Sequence, residues 1–248
     1  MKKTVVSLAA IILFSLVSAA PSFAQWFLDF ENGLALSGYN DVRVPGDTGT
    51  LFSFSEELKT DPSYFFRVRL GYQWRSRHNI SVFAAPLQLH AAGSVDREIF
   101  FYEETFSPNV PLTGVYKFNS YRLTYRYDLL RRGKWQVGIG LTVKIRDAAI
   151  KLEGEGKSSN KTNLGIVPLI NFRVLWQFHK DWGALLEGDA AAARQGRAED
   201  VVLALQYRLN DRLALRAGYR FLEGGADVEE AYNFALIHFI SAGVTYTF

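Results

Sequence analysis

Residues 135–146 have the sequence WQVGIGLTVKIR, and their side chains alternate between two faces without interruption. One face is entirely apolar and consists of Trp135, Val137, Ile139, Leu141, Val143 and Ile145. A period of two over a dozen residues predicts a β-strand, and strands of soluble proteins are mostly about 5–6 residues long. A strand that crosses a membrane needs about 9–11 residues. The length of this pattern therefore favours a membrane-spanning strand.

The same alternation recurs in further segments along the chain, with tyrosine and tryptophan concentrated near their ends. These segments are 63–75, 120–129, 170–178, 201–209, 213–221 and 234–248. In water, the apolar face of such strands would need a second sheet to cover it, whereas in a membrane barrel it faces lipid and the polar face lines the lumen. Aromatic residues at strand ends are typical of interfacial girdles. The sequence predicts an all-β, antiparallel, up-and-down transmembrane β-barrel.

Polar breaks in the pattern give the number of strands. Four short breaks lie at 76–78, 131–133, 179–181 and 210–211, and five longer polar stretches lie at 45–62, 105–112, 154–162, 195–200 and 223–230. Outer-membrane barrels have short periplasmic turns and longer external loops, so this division predicts about 10 strands. The predicted strands are 26–44, 63–75, 79–104, 113–130, 134–153, 163–178, 182–193, 199–209, 212–222 and 232–248.

Three of these strands are weakly defined, so 8 or 12 strands stay possible. Asp29 and Glu31 interrupt the pattern of the first strand. The alternation shifts phase at Pro86, which predicts a bulge in the third strand. The alanine-rich stretch 188–197 is only weakly patterned.

The first 24 residues have the layout of a secretory signal peptide. Lys2 and Lys3 precede an apolar stretch, and a small-residue cleavage site follows at 22–24. A retained anchor is the alternative, but the apolar stretch is short for a membrane span. We therefore expect residues 25–248 to form one domain, and no part of it approaches 18 uninterrupted apolar residues, which excludes a helical membrane protein.

Charge and cysteine content exclude several function classes. The net charge is +3 for the whole chain, and it falls to +1 once the two lysines of the first 24 residues are removed. This near balance gives no reason to expect nucleic acid as a partner. The chain contains no cysteine, which excludes disulfides and thiolate metal sites. No metal-ligand spacing occurs, and we expect no metal or cofactor.

The export signal, the alternating strands and the terminal GVTYTF (243–248) resemble small outer-membrane β-barrel proteins of Gram-negative bacteria. In that class a final strand that ends in phenylalanine resembles the signal for the barrel-assembly machinery, which here corresponds to Val244, Tyr246 and Phe248. The resemblance implies an outer-membrane location after export across the inner membrane. It also implies periplasmic chaperones and outer-membrane lipids, including lipopolysaccharide, as partners. It implies no particular activity.

The predicted lumen is rich in arginine. By strand parity it contains Arg67, Arg69, Arg75, Arg122, Arg126, Lys144, Arg146, Arg173, Arg208, Arg216 and Arg220, with Asp128, Glu187 and Asp189, and with Asp41 and Arg43 if the first strand keeps that phase. A barrel of about ten strands has little more room than its side chains need, and buried charges persist only when paired. We therefore expect a charge network that largely fills the lumen, in a protein with a structural or loop-mediated role.

Two other functions stay open. The excess of arginine would suit a narrow pore that favours anions. An outer-membrane enzyme acting on lipid A or peptides would need a histidine beside a serine or a carboxylate. His90, with Ser94 and Asp96 nearby in sequence, is the weak catalytic candidate, although a strand would separate His90 from Ser94 by about 13 Å. The long external stretches are expected to be exposed, variable loops.

Overall fold

The computed structural model describes residues 24–248, which form fourteen β-strands; the predicted signal peptide lies outside the described residues. The strands are β1 (Gln25–Arg43), β2 (Phe52–Ser53), β3 (Ser63–Trp74), β4 (His78–Ala85), β5 (Gln88–Gly93), β6 (Ile99–Phe101), β7 (Glu104–Phe106), β8 (Leu112–Arg132), β9 (Trp135–Gly154), β10 (Lys157–Trp176), β11 (Trp182–Ala193), β12 (Gly196–Arg208), β13 (Leu213–Val228) and β14 (Ala231–Thr247). Within residues 24–248, no helix is long and apolar enough to cross a membrane.

Ten antiparallel wall strands close into a barrel, as the sequence predicted, if β4 and β5 are counted as one interrupted strand. The order around the wall is β1, β3, β4 with β5, β8, β9, β10, β11, β12, β13 and β14. The wall closes because β14 also pairs with β1, from Phe27 opposite Thr247 up to Arg43 opposite Tyr232. With both termini at the periplasmic end, as in outer-membrane barrels, the short turns at 75–77 and 133–134 are periplasmic.

For the third strand, predicted at 79–104, both the predicted C-terminal end and the predicted bulge at Pro86 are wrong. The wall strand ends at Gly93, and the chain leaves the wall after it. Pro86 interrupts the pairing with β8 without shifting the register, because Ala85 lies opposite Ser120 and Gln88 lies opposite Lys117. Proline cannot donate to the ladder, so the strand breaks there instead of bulging.

The register shifts lie elsewhere. One occurs in β1 between Ser37 and Tyr39, and another in β8 between Asp128 and Leu130. The first reverses which residues point inward along the upper part of β1. It therefore decides where the charged residues of that segment lie.

Three of the five predicted external loops are tight hairpins instead. The strands continue upward, and only 155–156, 194–195 and 229–230 connect them. The polar residues of 157–163 misled the prediction because this part of β10 extends beyond the apolar belt. A strand that leaves the membrane no longer needs apolar outward residues, so its alternation disappears although its backbone pairing does not.

The outer surface of the barrel is apolar, as expected of a surface in contact with lipid. The outward face of β9 is the clearest case, since Ile139, Leu141, Val143 and Ile145 are all exposed. Aromatic rings gather at the periplasmic ends of the strands, where Trp135 and Trp176 stack 5.7 Å apart and Trp182 and Tyr207 lie 4.8 Å apart. This arrangement matches the apolar band and aromatic girdle of transmembrane barrels.

The other two external segments, 44–62 and 94–111, fold back into the mouth of the barrel; together they are called the cap. Many of their apolar side chains are almost completely buried, whereas Leu51 is exposed; the buried ones include Phe52, Phe54, Leu58, Val95, Ile99, Phe101 and Phe106. They pack on inward residues of the wall, including Leu89, Leu152 and Ile237. The prediction of exposed, variable loops is thus wrong here, because burying this much apolar surface favours one compact arrangement.

Candidate functional site

Below the cap, the lumen contains eight charged side chains in one buried cluster, called the central network. Its members are Asp29, Glu31, Arg67, Arg122, Asp189, Asp200, Arg216 and Arg220. Each lies on the inward face of its strand, opposite to lipid-facing neighbours. The cluster holds four guanidinium groups and four carboxylates, so its charges balance.

Asp200 is the point where three of these arginines meet. Arg67 Nη1 lies 2.9 Å from Asp200 Oδ2, Arg220 Nη1 lies 2.6 Å from Oδ1, and Arg122 Nη2 also donates to Oδ2. Arg122 in addition donates to Asp189 Oδ2 at 2.7 Å. Charge-assisted contacts of this kind are among the strongest hydrogen bonds in proteins.

Glu31 and Asp29 connect strand β1 to the same cluster. Arg220 donates through Nε and Nη2 to the two oxygens of Glu31, each at 2.8 Å. Arg216 Nη2 lies 3.0 Å from Glu31 Oε2, and Arg216 Nη1 also donates to Asp29. Strands β1, β3, β8, β11, β12 and β13 are therefore linked across the lumen.

Nearer the periplasm, a second cluster has more positive than negative charge; it is called the periplasmic group and consists of Arg69, Arg126, Arg173, Asp128 and Glu187. Three guanidinium groups share Glu187: Arg69 donates to Oε1, Arg173 Nε lies 3.0 Å from Oε2, and Arg126 Nη1 lies 3.8 Å away. Arg126 also makes a shorter contact with Asp128, since its Nε lies 3.4 Å from Asp128 Oδ1. These residues line a cavity of about 250 Å³ at the periplasmic end, which Asp29, Arg216 and Arg220 of the central network also border.

On the external side of the central network, two cations point inward without an acidic partner. Lys144 is 3% exposed, and no carboxylate of the described chain lies within 4.0 Å of its Nζ. Its Nζ lies over the ring of Phe118, 5.4 Å from the ring centre. Arg146 donates to Asn163 through Nη2, while its buried Nε has no hydrogen-bond partner in residues 24–248. Arg146 is thus in the lumen, as predicted, but outside the salt-bridge network.

Four residues predicted for the lumen lie elsewhere. Arg75 and Arg208 are exposed beside the periplasmic turns, where Arg208 Nη2 donates to the Lys180 carbonyl at 2.6 Å. The register shift in β1 turns Asp41 and Arg43 away from the lumen, because Asn40 and Val42 take the buried, inward positions. The guanidinium of Arg43 lies 5.2 Å from the ring centre of Tyr232.

The structure does not assemble the weak catalytic candidate into a site. His90 is exposed, and its Nε2 lies 3.1 Å from Gln88 Nε2. Ser94 and Asp96 are also exposed, and Asp96 is 3.9 Å from Arg97. Within residues 24–248, no three acidic, histidine or cysteine residues cluster in a way that could hold a metal ion.

The C-terminal residues lie at the periplasmic end of the barrel. Tyr246 and Phe248 contact each other edge to face at 5.1 Å, on the outward side of β14. The backbone N–H of Phe248 donates to the carbonyl of Trp26 at 2.9 Å, which holds the last residue against the first strand.

Sequence reasoning missed three acids of the central network: Asp29, Glu31 and Asp200. Asp29 and Glu31 interrupt the predicted pattern, although Leu28 and Phe30 mark the lipid face and so fix the phase of both acids. Asp200 falls where the predicted polar stretch 195–200 overlaps the predicted strand 199–209, and it has the same parity as the inward residues Val202 and Ala204. Parity relative to the apolar residues, applied without regard to charge, would have found all three.

Comparison with solved structures concerns the fold of the chain. Ail of Yersinia pestis, solved with a heparin analogue, is 12% identical over 90% of this chain and 99% of its own, with a TM-score of 0.39. Neisserial surface protein A is 15% identical over 91% of this chain and 99% of its own, with a TM-score of 0.37. The outer-membrane protease OmpT of Escherichia coli is 10% identical over 93% of this chain and 99% of its own, with a TM-score of 0.53.

No protein-family model matches the chain, and no curated protein matches it in sequence. At these identities, the likeness to solved structures concerns the fold alone. The closed antiparallel wall and the outward apolar belt are those of proteins of the outer membrane. The chain has the outer-membrane β-barrel fold, as does OmpT.

Proposed function

We propose that the protein is a closed outer-membrane barrel, in which the lumen charges are structural and the cap forms a rigid external surface for interaction. The observation that carries this proposal is that two separate groups of side chains, one above the other, block the same lumen. The central network fills the middle of the barrel, and the cap fills its external mouth. A centre filled by buried, paired charges opposes the passage of ions, because moving an ion through it would disrupt these pairs.

The cap supports the second half of the proposal, the interaction surface. Arg97 Nη1 lies 2.6 Å from Glu57 Oε1, and Glu57 Oε2 accepts the backbone N–H of Ser53 at 2.8 Å. The backbone N–H of Tyr102 donates to Val44 at 2.7 Å, which joins the two cap segments. An ordered external surface loses less conformational entropy on binding a partner than flexible loops would.

A planar-bilayer recording of refolded protein, shown to be folded by its resistance to protease, tests the closed barrel. We expect a silent bilayer for the unchanged chain. A narrow anion-favouring pore would instead give steady current steps whose selectivity changes in Arg122→Gln and Arg173→Gln. Lys151→Gln is the matched control, because Lys151 points outward and pairs with Glu153. Selective steps that change in the first two variants and not in the control would overturn the proposal.

The assembly signal is a separate part of the proposed role. Val244, Tyr246 and Phe248 form the periplasmic end of the closing strand, where recognition by the barrel-assembly machinery would take place. Deleting Phe248 is expected to lower the amount of protein in the outer membrane, whereas Phe178→Leu, at another periplasmic strand end, should have little effect. Equal amounts of the Phe248 deletion and the unchanged protein would contradict this part.

A further inference from the structure

The barrel wall is incomplete between β10 and β11. Strand β10 pairs with β9 along its whole length, from Lys157 to Trp176, but it pairs with β11 only from Ile170 to Trp176. Residues 157–169 therefore have one open edge. Within residues 24–248, no backbone hydrogen bond joins this edge to β11.

The open edge arises because β10 continues beside β9 as far as the cap, whereas its pairing with β11 ends at Ile170. Ser159 Oγ donates to the Phe101 carbonyl at 3.1 Å, and Lys157 Nζ donates to the Thr105 carbonyl at 2.7 Å. The wall is also interrupted at Pro86, but there the cap bridges the neighbouring strands. Above Pro86, the backbone N–H of Asp61 donates to the His90 carbonyl at 2.9 Å, so the cap closes the space between β3 and β5.

Part of the open edge lies at the height of the lipid-facing belt. Ile166 is opposite Ile145, and Ile145 is opposite Tyr121 on the other side, so the three form one row around the wall. Ile166 is 74% exposed and Leu164 is 76% exposed. Unpaired backbone groups facing hydrocarbon are energetically costly, so an open edge at this depth needs a ligand or a partner.

Behind the edge lie the two cations that have no acidic partner. Arg146 is opposite Gly165, and Lys144 is opposite Val167. A side chain at position 165 would contact Arg146, since its Cβ would lie 3.2 Å from Nη2. The top of β11 contributes only alanines, at 190–193, so the β11 side of the gap has small side chains, and Gly165 leaves room on the β10 side.

The nearby acids cannot neutralise Lys144 and Arg146, because they already have partners. Asp189 accepts from Arg122 and, through Oδ1, from Thr142 at 2.6 Å and Asn171 at 2.9 Å. Asp200 is shared by three arginines. A buried cation without a counter-ion is unfavourable, so this site favours an anion.

We propose that the gap between β10 and β11 is a lateral binding site for an anionic lipid of the surrounding membrane. The acyl chain would lie against Leu164 and Ile166, and a phosphate or carboxylate headgroup would reach Lys144 and Arg146 through the gap. The polar headgroup region would also accept hydrogen bonds from the open edge of β10. The charge of the site excludes a preference for zwitterionic lipid of the same chain length.

The natural absence of cysteine allows a local reporter at this site. In Thr162→Cys, which leaves Leu164 and Ile166 unchanged, an environment-sensitive fluorophore would sit beside the gap, in protein refolded into phosphatidylcholine vesicles. The vesicles then receive brominated phosphatidylglycerol, brominated oleate or brominated phosphatidylcholine, and quenching of the fluorophore measures lipid at the site. We expect quenching by the anionic lipids at about tenfold lower mole fraction than by phosphatidylcholine, since each lipid–cation hydrogen bond is charge-assisted.

Variants separate specific binding from general attraction to the surface. Lys144→Met with Arg146→Gln should remove the preference for anionic lipid, whereas Lys151→Gln, an outward lysine on the same hairpin, should keep it. Preference for oleate alone identifies a carboxylate site, and preference for both anionic lipids identifies a site for either headgroup. Protease resistance of the double variant shows whether it has folded; if it has not, Gly165→Leu, which fills the gap, replaces it.

Two results would overturn the inference. One is equal quenching by all three lipids in the labelled protein that keeps Lys144 and Arg146. The other is an anionic preference that persists in the double variant and in Gly165→Leu. Disulfide-linked dimers of unlabelled Thr162→Cys would show that the open edge pairs with a second copy, and this would also overturn a lipid site.

Discussion

The central network and the periplasmic group use the same kinds of side chain in opposite ways. In the central network, four arginines meet four carboxylates, and every member is buried or nearly so. In the periplasmic group, three arginines share Glu187 and only Asp128 adds a second carboxylate, beside a cavity of about 250 Å³. Of these two clusters, only the one beside the cavity has an excess of positive charge, as expected from the cost of burying an unpaired ion.

The largest effect is expected from Asp200→Asn. This change leaves Arg67, Arg122 and Arg220 without their shared carboxylate in a dry environment, and breaking a buried pair costs about 3–5 kcal/mol. Urea unfolding in lipid vesicles should show a loss of free energy of unfolding of that size. Asp147→Asn is the control, because Asp147 pairs with Lys117 on the exposed surface and should matter little. Equal effects of the two changes would contradict the central role of Asp200.

Glu187→Gln should have a smaller effect, although Glu187 also has three arginine partners. Water in the neighbouring cavity can hydrate Arg69 and Arg173, so we expect a loss of about 1–3 kcal/mol in the same unfolding experiment. A loss as large as that of Asp200→Asn would show that the periplasmic group is as dry as the central network. The contrast between the two regions would then be wrong.

The smallest effect concerns the cap and depends on pH. The hydrogen bond from Arg97 lowers the pKa of Glu57 below its usual value of about 4.3, although partial burial opposes this shift. Because the pKa is lower in the folded state, the stabilisation is fully present above the unfolded pKa and is lost as pH falls through the folded value.

Protease cleavage of the cap should therefore become faster in the unchanged chain as the pH falls below the usual carboxyl range and through the lowered pKa of Glu57. In Glu57→Gln, cleavage should already be faster at neutral pH, and a Glu57-dependent change at low pH should be absent. An acid-stable protease that cleaves both chains alike at every pH would show that this ion pair does not hold the cap.

The wall of the barrel could be predicted from sequence, because its signal is local. Alternation such as that of 135–146 identifies a strand and its lipid face without knowledge of any partner. Strand number followed from the periplasmic turns, which are short and polar. The arginines of the lumen followed from parity for the same reason.

The cap and the partners within the lumen could not be predicted, because they depend on contacts between distant segments. Phe52 and Phe101 are apolar residues in stretches that otherwise have the polar composition of loops, and only the folded mouth of the barrel explains their burial. Asp200 lies 133 residues from Arg67 in sequence. The gap beside β10 depends on where that strand bends onto the cap, which no local pattern indicates.

The central claim is that the arginines in the middle of the barrel hold it closed by pairing with acids. A double-mutant cycle on Glu31 and Arg220, which meet through two hydrogen bonds of 2.8 Å, tests it most directly. Unfolding free energies of the unchanged chain, Glu31→Gln, Arg220→Gln and the double variant would be compared. We predict a coupling energy of at least about 1.5 kcal/mol. Additive effects of the two changes would mean that the pair contributes no specific stability, and would contradict a lumen closed by its charges.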